Sequence, residues 1–250
     1  AIFDAKYIWD NTRWAYTYPN DGSRFYVKYK TSPIQPDKVG SITFDGRFYK
    51  SFSNGMSTLF RSFIGFGFPG TSDQFYLGST PSLWNSDNYN PLEYYNINDA
   101  DFYFSEYVSP IRGTAFFNRN GHNISLFNFE LRAPLLLYYF PTIKWLGQIN
   151  AIAFLDIGGT WNSREWDITK AHNWEERIEI CDDDGHIEIC DDDGHYLYSE
   201  NEQGWVMTYG WGPRFILAGL PWQLNYSWSY NPFTKKQGNR HWEVTIGFDL

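Results

Sequence analysis

Long hydrophobic runs are missing from this sequence. No stretch approaches the roughly 18–20 apolar residues that a membrane helix needs. The greasiest segment, Pro134 to Pro141, is short and bounded by prolines. If the chain crosses a membrane, it does so as strands. Positive charge is also scarce: 20 Lys and Arg stand against 29 Asp and Glu, a net charge of -9. That excludes an ordinary nucleic-acid partner, whose phosphates need a basic surface. It does not exclude a membrane, since a barrel is held by its apolar belt. Two cysteines in 250 residues identify no redox compartment. The opening Ala1-Ile2-Phe3-Asp4 has no basic n-region and no apolar h-region, so no signal peptide is visible. A barrel must be exported, so the sequence reads as a mature chain or a piece of a longer one. Catalytic signatures are missing too. There is no Gly-x-Ser-x-Gly elbow and no His-Glu-x-x-His helix. His122, His172 and His241 are isolated, and a pairing of His122 with Ser125 lacks a third partner. The sequence is read as non-enzymatic, with no catalytic residues and no cofactor.

What is abundant is aromatic. Trp, Tyr and Phe make up 21% of the chain, yet the mean hydropathy is -0.50. Many rings in a polar chain suit a wall of thin strands with one greasy and one wet face. Rings with a polar tip also sit well at membrane–water interfaces. The pattern agrees. Trp242, Val244, Ile246, Phe248 and Leu250 alternate with Glu243, Thr245, Gly247 and Asp249. Phe25, Val27 and Tyr29 oppose Arg24, Lys28 and Lys30, and Ile42, Phe44 and Phe48 oppose Thr43, Asp45 and Arg47. A soluble sandwich alternates as well; strand length and aromatic load favour the membrane barrel.

The expected fold is therefore an all-β, antiparallel transmembrane barrel, with residues 1–250 as one outer-membrane domain. About ten strands are predicted, near 3–13, 22–31, 40–52, 57–68, 73–79, 122–133, 149–161, 205–219, 222–230 and 240–250. Short turns at Phe68-Pro69-Gly70-Thr71 and Ala218-Gly219-Leu220-Pro221 contrast with long loops near 80–121 and 163–204. Outer-membrane barrels turn tightly on the periplasmic side and loop out on the other. Parity then puts both long loops outside and the C-terminus in the periplasm. Ten strands could close a small barrel alone, or be the C-terminal part of a larger one.

Four segments bear on that choice. They are Tyr76-Leu77-Gly78-Ser79, Ile111-Arg112-Gly113-Thr114, Phe129-Glu130-Leu131-Arg132-Ala133-Pro134-Leu135 and Phe154-Leu155-Asp156-Ile157-Gly158. In this order they resemble the barrel of the bacterial surface antigen family, within the outer-membrane assembly-factor and translocator superfamily. They are similar to a strand, a hydrophobic-Arg-Gly-aromatic loop, a Glu-x-Arg-x-Pro-Leu strand end and an aromatic-x-Asp-x-Gly strand. Thr114 stands where the family has an aromatic, and Leu250 where many outer-membrane proteins end in Phe. The resemblance implies a barrel of about sixteen strands, of which this chain supplies the C-terminal part.

By alternation Asp156 shares a face with Phe154 and Gly158, opposite Leu155 and Ile157. Leu155 and Ile157 suit lipid, so Asp156 points inward, where a carboxylate wants a cation. The resemblance implies that the loop folds in and Arg112 meets that strand. A guanidinium would grip the carboxylate with two prongs. Gly158 would leave room for the loop and Gly113 would let it turn. Glu130 and Arg132 share a strand face and are expected to join this polar cluster. The alternative is a set of separate, solvated lumen charges.

Residues 178–186, Ile-Glu-Ile-Cys-Asp-Asp-Asp-Gly-His, recur identically at 187–195. Two copies are too few for a solenoid. Asp182, Asp183, Asp184, Asp191, Asp192 and Asp193 are candidate oxygen ligands for a metal. Cys181, His186, Cys190 and His195 could form a softer site, and Cys181 with Cys190 a disulfide. The plain reading is a duplication in a tolerant outer loop. The function the resemblance implies is outer-membrane protein assembly or translocation, with lipid and other outer-membrane or periplasmic proteins as partners. A passive anchor or partner-binding barrel is the alternative, and a porin-like channel a third. Trp242, Val244, Ile246, Phe248 and Leu250 would carry the terminal-strand signal.

Overall fold

A computed structural model of the chain describes residues 2–14, 18–32, 39–52, 55–68, 74–80, 84–85, 106–108, 110–114, 119–140, 142, 149–161, 204–231 and 235–246. The elements are β1 (Phe3–Asp10), β2 (Arg13–Trp14), β3 (Pro19–Thr31), β4 (Gly40–Ser51), β5 (Ser57–Gly67), β6 (Phe75–Leu77), β7 (Trp84–Asn85), β8 (Glu106–Val108), β9 (Arg119–Gly121), β10 (Asn123–Ala133), α1 (Leu135–Tyr139), β11 (Asn150–Trp161), β12 (Gly204–Leu217), β13 (Leu220–Asn231) and β14 (Lys236–Ile246).

The long strands form one antiparallel wall in the order β1-β3-β4-β5-β10-β11-β12-β13-β14. Register is continuous through the middle of the wall, as in Phe129 opposite Phe60 on one side and Leu155 on the other, and shifts between β13 and β14 near Trp228. A two-residue turn joins β12 to β13. Ala218 and Gly219 both have positive φ, 55° and 78°, and Leu217 faces Leu220 across the turn. That backbone matches the right-handed twist of the strands it connects. At the opposite end of the wall lie both long connections, β5 to β10 and β11 to β12.

The faces of the wall are inverted relative to a soluble sandwich. The concave face buries Thr43, Asp45, Asn128, Glu130, Asp156, Thr208, Asn225 and Glu243. The convex face exposes Ile42, Phe44, Phe48, Phe60, Phe129, Trp211 and Trp242. On β14, His241, Glu243 and Thr245 are buried, while Trp242, Val244 and Ile246 lie on the other face. Phe48, Phe60, Phe129, Leu155, Tyr209 and Trp228 are joined in register across six strands, giving an apolar belt. Water would meet the greasy side of such a wall, whereas lipid suits it.

One expectation is corrected. Segment 73–79 is not a wall strand. β5 pairs directly with β10, and β6 joins a separate small sheet, parallel to β8 and antiparallel to β9. The reason is burial: Phe75 and Leu77 pack with Val108 and Ile111 of the long connection against Phe63, Ile124, Leu126 and Val206 of the wall. Both faces of a wall strand could not be offered to that cluster. The sheet is open, which distinguishes the two alternatives left by the sequence. Among the described residues β1 pairs with β3 on one side only, and β14 meets the two-residue β7 rather than β1. A closed ten-stranded barrel is not what forms.

Candidate functional site: a charged contact between the long loop and the wall

The connection between β5 and β10 enters the concave face. Its small sheet and Ile111 anchor it on the apolar cluster. Ile111 N–H donates to the Gly78 carbonyl at 2.8 Å, and Thr114 Oγ1 closes the turn by donating to the Ile111 carbonyl at 2.7 Å. Gly113 sits at φ 79°, where a side chain would be strained, and a Cβ there would overlap the Ser227 hydroxyl. This tight turn puts Arg112 against β10 and β11.

Arg112 and Asp156 make a three-bond contact. Nε donates to Asp156 Oδ2 at 2.7 Å, Nη2 to Oδ1 at 2.6 Å and the main-chain N–H to Oδ2 at 3.1 Å. Arg112 Nη1 donates to Glu130 Oε1. The guanidinium carbon lies 3.9 Å from the centre of the Phe154 ring, adding a cation–π contact. Arg112 is 1% exposed, and Asp156 and Glu130 are fully buried. Burial alone would lower the Arg112 pKa, but the Asp156 and Glu130 carboxylates outweigh it and raise it above its ordinary value. Gly158 provides the space: a Cβ there would lie 2.5 Å from Ile111 Cδ1 and 2.9 Å from Leu77 Cδ2.

The contact extends along the wall. Glu130 Oε2 accepts from Arg132 Nε at 2.8 Å. Asn128 Nδ2 donates to Asp156 Oδ1 and to the Pro110 carbonyl, both at 2.8 Å. Arg214 Nη2 lies 3.7 Å from Glu130 and its Nε donates to Gln223 at 3.0 Å. Gln223 donates to Asn225, which donates to Glu243 at 2.8 Å, and Ser79 of the long connection donates to Glu243 at 2.5 Å. The network therefore runs from β10 to the last strand and meets the loop at Pro110, Arg112 and Ser79. Paired, buried charges of this kind hold parts together.

Arg112, Gly113, Glu130, Arg132, Asp156 and Gly158 are thus brought to one place. Asn128, Arg214, Gln223, Asn225 and Glu243 were not singled out by sequence. Their only signal was the inward position of polar residues on alternating strands. Trp242, Val244 and Ile246 stand on the outer face, apart from this cluster. Phe248 and Leu250 lie outside the described residues, as do Cys181, Cys190, Asp182–Asp184 and Asp191–Asp193.

Comparison with known proteins gives a likeness of fold. No family model matches the sequence, and no curated protein matches it. Among solved structures, the chain is similar to BamA from Haemophilus ducreyi lacking POTRA domains 1–3, with a TM-score of 0.50 and 13% identity. The match covers 98% of this chain and 42% of that one, so the chain spans less than half the length of its structural relative.

Proposed function

We propose that this chain is the wall of a bacterial outer-membrane barrel of the surface antigen type, working in the assembly or translocation of outer-membrane proteins. The observation that carries the reading is the pairing of an inverted wall, polar inside and aromatic outside, with an inward loop whose Arg112 is locked on Asp156 and Glu130. The fold it shares with BamA supports the same reading. Among the described residues β1 pairs on one side only, which supports a larger barrel, of about sixteen strands, to which these strands contribute the C-terminal part. The C-terminal end of β14 lies at the end of the wall opposite the long connections, which supports a periplasmic C-terminus. The proposed role is structural and non-enzymatic: partners are lipid on the convex face and outer-membrane or periplasmic proteins elsewhere.

Depletion of the full-length protein in its source cell, followed by quantitation of every other outer-membrane protein, tests this. A general fall in folded barrels is expected. Loss of only one or a few associated proteins would replace the assembly role with that of a dedicated anchor.

A further inference from the structure

We infer that the lumen is narrowed a second time, at its tight-turn end, by a partial closure built by Tyr18, Arg132 and Asn150 and separate from the long loop. The inference rests on the reading of the sheet as a membrane barrel wall. Tyr18 immediately precedes β3, and Asn150 opens β11. In the sheet order these strands are four places apart. At about 4.8 Å per place, that is roughly 19 Å around the wall. Yet Tyr18 Oη donates to Asn150 Oδ1 at 3.0 Å, and both residues are buried. The tyrosine therefore crosses the concavity rather than following it.

Arg132 completes the layer. It extends from β10, which lies between the two strands in the sheet. Its Nη1 donates to the Pro19 carbonyl at 3.1 Å, and its guanidinium carbon lies 4.8 Å from the centre of the Tyr18 ring. The Tyr49 ring, 6.0 Å from that carbon, flanks it. Among the described residues, no polar contact of Tyr18 or Asn150 involves the long loop. The two closures share Glu130, which accepts from Arg112 of the loop and from Arg132 of this layer. The apolar cluster, the Arg112 contact and this layer meet β10 at Leu126, Glu130 and Arg132 in turn, spread over about 20 Å along the strand. Across the arc from β3 to β11, a lumen filled in this way stays narrowed when the loop alone is removed.

The test uses the full-length protein in planar bilayers. Residues 74–121 are replaced by a short glycine–serine turn, which the pairing of Phe66 with Asn123 permits. This variant is expected to conduct measurably less than the same variant with Tyr18→Ala and Asn150→Ala added. Equal conductance of the two variants, both in their folded, heat-modifiable form, overturns the proposal. A second measurement leaves the loop in place. Tyr18→Cys and Asn150→Cys, in a background with Cys181→Ser and Cys190→Ser, are treated with a short bismaleimide. A linked peptide pair found by mass spectrometry is expected; its absence from folded protein overturns the closure. A protein that carries the link but never inserts into bilayers would instead sink the membrane reading on which the proposal stands.

Discussion

At the scale of single residues, the account turns on Arg112 and Asp156. Both charges are out of water, so each depends on the other and on Glu130. Removing one partner from a buried pair costs about 3–5 kcal/mol, because the other is left uncompensated. Asp156→Ala is expected to lower stability by that order in chemical denaturation of the refolded protein, and to expose the long loop to protease. Arg112→Ala should do the same and reduce folded yield; an unchanged level with an unchanged loop would remove the contact from the account. Arg112→Lys should fall between it and the parent, since an ammonium is a single point charge and cannot reproduce the fork. Alternation alone was enough to put Asp156 with Phe154 on the inner face, and Glu130 with Arg132. It could not reveal Asn128, Arg214, Asn225 or Glu243 as members of one network. Which inward residues meet depends on register and on sheet curvature, and neither is written in a strand's own pattern.

At the scale of elements, two predictions follow from the wall. Ala218 holds a left-handed backbone in the β12–β13 turn. A residue with a Cβ costs about 1 kcal/mol there, so Ala218→Gly should stabilise the hairpin by about that amount, read as a higher denaturation midpoint. Phe129 sits mid-strand on the belt, flanked by Phe60 and Leu155. Phe129→Lys is expected to cut membrane-inserted protein, since a basic residue on the lipid face near mid-membrane costs about 2–4 kcal/mol. Ile246 faces outward as well but pairs with Trp222 near the tight-turn end, so Ile246→Asp should be milder than a mid-strand charge. A larger fall for Ile246→Asp than for Phe129→Lys would mean that the depth of the wall is misplaced. Wall strands were legible because period-2 alternation survives wherever one face is wet. Segment 73–79 was misread for the same reason: Phe75 and Leu77 alternate with Tyr76, but the face they fill belongs to a plug inside the wall. Alternation reports that a strand has a buried face and does not report which sheet it joins.

At the scale of the whole molecule, composition already carried the main feature. Aromatic richness with a negative mean hydropathy corresponds to a sheet whose polar side is the buried one. Closure was not legible, because it depends on what pairs with the two outermost strands. The most direct test of the account is the direction of the faces in a lipid bilayer. Single cysteines at positions 127 to 131, in a background with Cys181 and Cys190 replaced by serine, would carry a fluorophore quenched by nitroxide-labelled lipid. Phe127, Phe129 and Leu131 should be quenched strongly, and Asn128 and Glu130 weakly, a strict alternation along β10. Equal quenching, or strong quenching at Asn128 and Glu130, would contradict the inverted wall.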